Sequence, residues 1–181
     1  TFMDALVQRS SKLVPGDPSD PQTRLGPLVS AGQLESVQQY VEAGKKEGAT
    51  LLLGGARSDV PNRDGYYFKP TIFGGVQPHM TIAREEIFGP VLAAQRFESM
   101  DELVAQANAT PYGLAAGIWT RDVKKAHTLA RALKAGTVWV NTYNMFDSAA
   151  AYGGFTRSLS GDTLDVAWHI GARWDRQQGR R

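Results

Sequence analysis

Residues 114–140 read L-A-A-G-I-W-T-R-D-V-K-K-A-H-T-L-A-R-A-L-K-A-G-T-V-W-V. Leu114 to Trp119 is a run of small and apolar residues, a strand pattern. Asp122 stands where a helix cap is needed, and Val123, Ala126, Leu129, Ala130 and Leu133 follow at helical spacing until Gly136 ends the run. Thr137-Val138-Trp139-Val140 then predicts a buried strand. Strand, helix and strand at this spacing make a βαβ unit, whose crossover helix returns the chain for parallel pairing.

The same signals continue upstream. Ser99 with Glu102 has the form of a capping box ahead of Leu103, Val104 and Ala107, and Ser30 with Gln33 has it ahead of Leu34, Val37 and Val41. The second of these helices is expected to run to about Gly48. Thr50-Leu51-Leu52-Leu53 with Gly54-Gly55 predicts a short buried strand and a turn. Tyr66 to Phe73 is rich in β-formers but contains Pro70, which predicts an edge or bent strand. Pro90 to Phe97 is a further candidate strand, and Phe2 to Val14 a helix stopped by Pro15-Gly16. The fold class expected is therefore α/β, a mainly parallel sheet flanked by helices. After Asn141 the regular pattern stops, and no internal repeat is visible.

Composition narrows the function. The 181 residues are 42% hydrophobic and 21% charged, with a formal charge of +2, close to an average globular domain. The chain has no cysteine, so it holds no disulfide, thiolate metal site or cysteine nucleophile. No apolar run reaches the roughly 18 residues of a membrane span, and the first residues lack the order of a signal peptide. No membrane association is expected, and the cytoplasm is the expected compartment. The last ten residues hold Arg173, Arg176, Arg180 and Arg181 against Asp175, a net +3 on what reads as a solvated terminus. Nucleic acid is not an expected partner, because no aromatic and basic interleaving accompanies that charge. No phosphate-loop or dinucleotide glycine motif occurs, and the glycine pairs read as turns. His79, His127 and His169 are too scattered for metal spacing, so no metal site is expected. His127 reads as a surface residue of its helix.

One stretch is unusual: Arg84-Glu85-Glu86-Ile87-Phe88-Gly89-Pro90-Val91. Taken alone, its acids read as surface charge and Phe88 as core. The run from Glu85 to Val91, however, resembles the signature of the NAD(P)-dependent aldehyde dehydrogenases. Other stretches resemble that family in the same order: Asp20 to Pro27, Gly65 to Phe73, Tyr112 to Ala116, and Ala135 to Asn141. The resemblance implies the fold of that family's catalytic domain over residues 1–158, followed by a divergent basic tail over 159–181.

It also implies roles for named residues. Glu86 matches the glutamate that accepts hydrogen bonds from the nicotinamide ribose hydroxyls, a task suited to a carboxylate. Phe88 matches the aromatic beside the nicotinamide ring. Phe146 and Tyr152 fall where aromatic residues line the aldehyde tunnel, and Asn141 matches a position whose amide ties down a loop. The cofactor implied is NAD or NADP. In this family a cysteine thiolate attacks the aldehyde, hydride passes to the nicotinamide, and a water activated by glutamate hydrolyses the thioester. The nucleophile, the general base and the cofactor domain all belong to segments upstream of Thr1. The chain thus looks like the C-terminal part of such an enzyme, with no catalytic residue of its own and no expected hold on the cofactor alone. Near the other end, Ala151-Tyr152-Gly153-Gly154-Phe155-Thr156-Arg157-Ser158-Leu159 departs from the family's P-F-G-G-[YFV]-K-x-S-G, and that region normally serves subunit pairing.

Three readings follow: an aldehyde dehydrogenase relative without turnover in isolation, the C-terminal half of a split enzyme completed by an N-terminal partner, or a non-catalytic interaction module using the basic tail. Apolar surface such as Phe88, left exposed by the missing cofactor domain, predicts a homo-oligomer.

Overall fold

The computed structural model describes residues 1–146 and 153–154. The described residues form two compact units, the first ending at Arg96 and the second beginning at Phe97. In chain order the first unit contains α1 (Phe2–Ser10), α2 (Ala31–Lys46), β1 (Thr50–Leu53), β2 (Thr71–Gly74), α3 (Thr81–Arg84) and β3 (Val91–Ala93). The second contains α4 (Met100–Ala107), β4 (Ala115–Ile118), α5 (Val123–Ala132) and β5 (Thr137–Val140).

In the first unit β2 lies between β1, paired antiparallel, and β3, paired parallel. The expectation of an edge or bent strand at Tyr66–Phe73 is therefore corrected: the strand is central and all four of its residues are buried. Pro70 does no harm because it immediately precedes the strand, where its missing N–H interrupts no ladder bond. β1 lies at an edge instead, as does β3 at the other, among the described residues. It was expected to be buried, yet Leu51 and Leu52 are 36% and 39% exposed, because β1 pairs on one side only.

The core of this unit is built by the apolar stripe of α2. Leu34, Val37 and Val41 recur at helical spacing and are buried against Phe68, Phe73, Ile82 and Ile87. Gly44 continues the stripe, and a side chain there would meet Ile82 Cδ1 at 2.8 Å, so glycine lets α3 lie directly on α2. Ser30 caps α2 by accepting from the Gln33 amide, 3.1 Å. Gln33 does not complete the expected capping box; its side chain bonds elsewhere, as described below.

The short α3 has no cap from its own Met80. Glu47, just past the end of α2, supplies one: its carboxylate accepts from the Thr81 hydroxyl at 2.6 Å and from the Thr81 amide at 2.7 Å. These two bonds, the hydroxyl's first, hold the Glu47 carboxyl below the usual glutamate range. A depressed folded-state pKa contributes stability above the unfolded value that is lost as pH falls through the folded one. Glu47→Gln is accordingly expected to lower the urea midpoint at neutral pH, and the gap to wild type should close on acidification. A gap that persists unchanged in acid would mean the carboxylate charge plays no part.

The second unit realises the βαβ reading, with β4 and β5 paired in parallel from Ala115–Thr137 to Ile118–Val140. Asp122 caps α5 through the Lys125 amide, 3.1 Å. Of β5 only Trp139 is buried and Val140 is 38% exposed, so the expected buried strand is covered on one face. Ser99 caps α4 as expected, while Glu102 reaches back to the amide of Glu98 rather than of Ser99.

Candidate functional site

The stretch Glu85–Pro90 connects α3 to β3. Both of its ends are fixed by backbone geometry. The Glu85 amide closes α3 on the Thr81 carbonyl at 3.0 Å, and the Thr71 amide of β2 donates to the Pro90 carbonyl at 2.8 Å. Thr71 is itself 1% exposed, and its hydroxyl is satisfied by donating to the Lys69 carbonyl and accepting from the Gly55 amide. The central strand thus sets where the loop ends.

Between those ends the side chains separate. Ile87 is 8% exposed and belongs to the core of the first unit. Phe88 is 52% exposed, as expected from the resemblance and unlike the core position that the stretch taken alone suggests. Its backbone lies in the left-handed region, φ 51°, a conformation that costs a bulky residue about 1–3 kcal/mol and collects at functional sites. The left-handed turn is what lets the chain bury Ile87 and present Phe88 one residue later. Glu86 is half-buried in the same loop, and Tyr40 of α2 donates to Glu85 at 3.0 Å. Gly89 sits against α2 so closely that a Cβ would approach Val37 Cγ2 to 2.5 Å.

Gln33 contributes what the sequence did not disclose. Its amide nitrogen donates to the carbonyls of both Ile87 and Phe88, each at 3.0 Å. In the sequence Gln33 reads as a capping-box partner, and no local signal points across 54 residues to that loop.

The second unit carries the aromatic candidates. Phe146 is 55% exposed and meets Trp139 edge-on, with centroids 5.5 Å apart. Tyr143 lies edge-on to Trp139 at 4.9 Å and stacks with Trp119 at 6.4 Å. The Trp139 indole N–H donates to the Met145 carbonyl at 2.8 Å, fixing the path of the chain after β5. Tyr152 lies outside the described residues, as do Arg173, Arg176, Arg180 and Arg181. Asn141 does tie down a loop: its side chain accepts from the Thr120 amide at 2.9 Å and donates to the Thr120 carbonyl at 3.0 Å. Its φ of 54° is one asparagine tolerates well. His127 is exposed on α5, as expected. No group of three or more His, Asp or Glu side chains that could hold a metal gathers among the described residues. Nor is any helix among them long and apolar enough to cross a membrane.

The model of the aldehyde dehydrogenase family matches residues 1–170. A betaine aldehyde dehydrogenase from Sinorhizobium fredii is 46% identical over 166 residues, covering 92% of this chain and 34% of that protein. One from Agrobacterium fabrum is 48% identical over 160 residues, 87% of this chain and 32% of that protein. Among solved structures, an NAD+ complex of an aldehyde dehydrogenase from Bacillus cereus superposes with a TM-score of 0.80 at 47% identity, covering 85% of this chain and 31% of that one. HpcC from Thermus thermophilus superposes at 0.82 with 45% identity, over 86% and 31% of the two chains. The chain spans about a third of the length of the curated relatives it matches.

Proposed function

Since the chain belongs to the aldehyde dehydrogenase family, we propose that it carries part of a nicotinamide rest and part of an aldehyde pocket but cannot complete the family's reaction alone. That reaction converts an aldehyde, water and oxidised nicotinamide cofactor into a carboxylic acid, reduced cofactor and a proton. The observation that carries the reading is the complete absence of cysteine from the 181 residues. Without a thiolate no thiohemiacetal forms on this chain, so the protein-bound tetrahedral centre from which the family's hydride leaves is missing. The residues present fit a dinucleotide of the NAD or NADP type at one end only. Glu86 supplies an acceptor for paired ribose hydroxyls, and the exposed Phe88 ring supplies an apolar surface one residue beyond Ile87. When bound, such a cofactor supplies the hydride acceptor. This chain's share is to bind and orient the ribose and to limit where the ring can rest. Phe146, with Tyr152, is the proposed apolar wall for the aldehyde, and both keep water scarce there.

The relatives that are 45% or more identical over the matched residues include betaine aldehyde dehydrogenases, so a small aldehyde of that kind is the substrate to try first. One further reading is that an N-terminal polypeptide supplies thiolate, base and cofactor domain, since this chain has no cysteine of its own. Residues 1–158 as the family domain and 159–181 as a separate tail belong to the same proposal, as do a homo-oligomer and a cytoplasmic setting. The bare Leu51, Leu52 and Phe88 surfaces support the homo-oligomer.

The test is formation of reduced nicotinamide from betaine aldehyde and NAD or NADP by the purified chain. No turnover above buffer is expected from the chain alone. Turnover that appears only when a polypeptide bearing the upstream two thirds of a relative is added would establish the split-enzyme reading. Turnover by the chain itself, in material free of host enzyme, would overturn the proposal.

A further inference from the structure

Three residues of α2 meet the Glu85–Gly89 loop: Gln33, Val37 and Tyr40, which lie on one helix face by their spacing of four and three. We propose that Gln33 is the positioning residue of this loop, the group that holds the Phe88 backbone in its left-handed turn and thereby presents Phe88 and Glu86. The use of the loop as a nicotinamide rest is taken from the reading above; the positioning role stands on geometry alone.

The chemistry leaves little freedom. Both acceptors are main-chain carbonyls, so the nitrogen side of the carboxamide must face them, and its two hydrogens match the two oxygens at 3.0 Å. Two successive carbonyls converge on one donor group only if the chain turns between them, and the turn occurs at Phe88, φ 51°. The residue type at the turn does not favour it. Phe88 is neither glycine nor asparagine, and its exposed ring gains little from burial. Ile87 anchors one side of the turn in the core, and Gly89 lets the other side rest on Val37 with no side chain between. Gln33 closes the gap between these two anchors. Tyr40, about two helical turns further along the same face, donates to the Glu85 carboxylate.

A structural glutamine that merely filled space would be replaceable by any side chain of its size. A positioning glutamine needs its donors. Amide hydrogen exchange of the segment spanning Ile87 to Val91 in the full chain, expressed as protection relative to β2, distinguishes the two. Gln33→Leu is expected to lower that relative protection roughly tenfold or more, as two hydrogen bonds are lost in a locally opening segment. Gln33→Glu is expected to do the same at neutral pH, where a carboxylate faces two carbonyls. Protection should recover in acid, where the protonated carboxyl regains a donor. Placing Phe88→Gly beneath Gln33→Leu should remove most of the effect, because glycine adopts the turn without help.

Equal protection in Gln33→Leu and wild type would overturn the assignment. So would a loss in Gln33→Glu that acid does not reverse, or one that Phe88→Gly leaves intact. If Gln33→Leu does not fold, the Gln33→Glu pH profile decides the matter. Absence of nicotinamide binding by the wild-type chain combined with a polypeptide bearing the upstream two thirds of a relative would sink the proposed use of the loop while leaving these exchange results standing.

Discussion

Phe73→Ala is expected to lower the unfolding free energy by about 3–5 kcal/mol, the usual cost of emptying a well-packed phenylalanine site. Phe73 is 0% exposed and lies on the central strand of the first unit, where its ring reaches the neighbourhood of Gly44 and Ile82. Helix α2, helix α3 and the sheet meet there, so the cavity left by alanine has walls on three sides that cannot collapse without moving an element. Since small domains hold only about 5–15 kcal/mol in total, this change removes a large share. Urea unfolding checks it: the midpoint should fall with the slope unchanged. Phe73→Leu should cost less, about 1.5 kcal/mol or under, because most of the volume is kept. A loss below about 1 kcal/mol for the alanine variant would mean the core is centred elsewhere.

Gly54→Ala carries the next largest expected effect, about 2–4 kcal/mol. Gly54 turns the chain after β1 with φ 72°, which costs an alanine about 1–2 kcal/mol by itself. The added methyl would also collide with the Pro70 carbonyl oxygen, a main-chain atom fixed by the start of β2. Relieving that collision shifts the β1–β2 pairing, an overpacking cost of about 1–3 kcal/mol. Gly48 provides the control. Its φ is 95°, yet a methyl there meets nothing within 4 Å, so Gly48→Ala should show the conformational cost without the collision. The difference between the two urea midpoints measures the contact. Equal losses would show that Pro70 yields freely. Because Thr71 links this turn to Pro90 at the end of the Glu85–Pro90 loop, Gly54→Ala should also loosen that loop in hydrogen exchange, whereas Gly48→Ala should not.

Much of the first layer of structure was legible before any coordinates. Ser30, Ser99 and Asp122 cap the helices they were expected to cap, because an N-cap needs only a short polar side chain three residues ahead of an amide. The stripe of α2, that of α5 at Ala126 and Leu129 but not at the exposed Val123, and the parallel β4–β5 pair also follow from local period and spacing. What misled was burial across the sheet. Leu51 and Leu52 looked like core and Pro70 like an edge marker, but the order β1-β2-β3 reverses both. Strand order depends on which strands meet in space, and no single segment encodes it.

The candidate site divides along the same line. Composition alone determined that this chain owns no thiolate, and the run from Glu85 to Val91 together with four other stretches in order was enough to place it in a family. Those are properties of residue identity, which folding cannot alter. Tertiary structure alone decided that the backbone at Phe88 is left-handed, and that Gln33 reaches across to the carbonyls of Ile87 and Phe88. Backbone strain and the donors that hold it belong to pairs of segments distant along the chain. They come into being only when α2 and the loop after α3 are packed together.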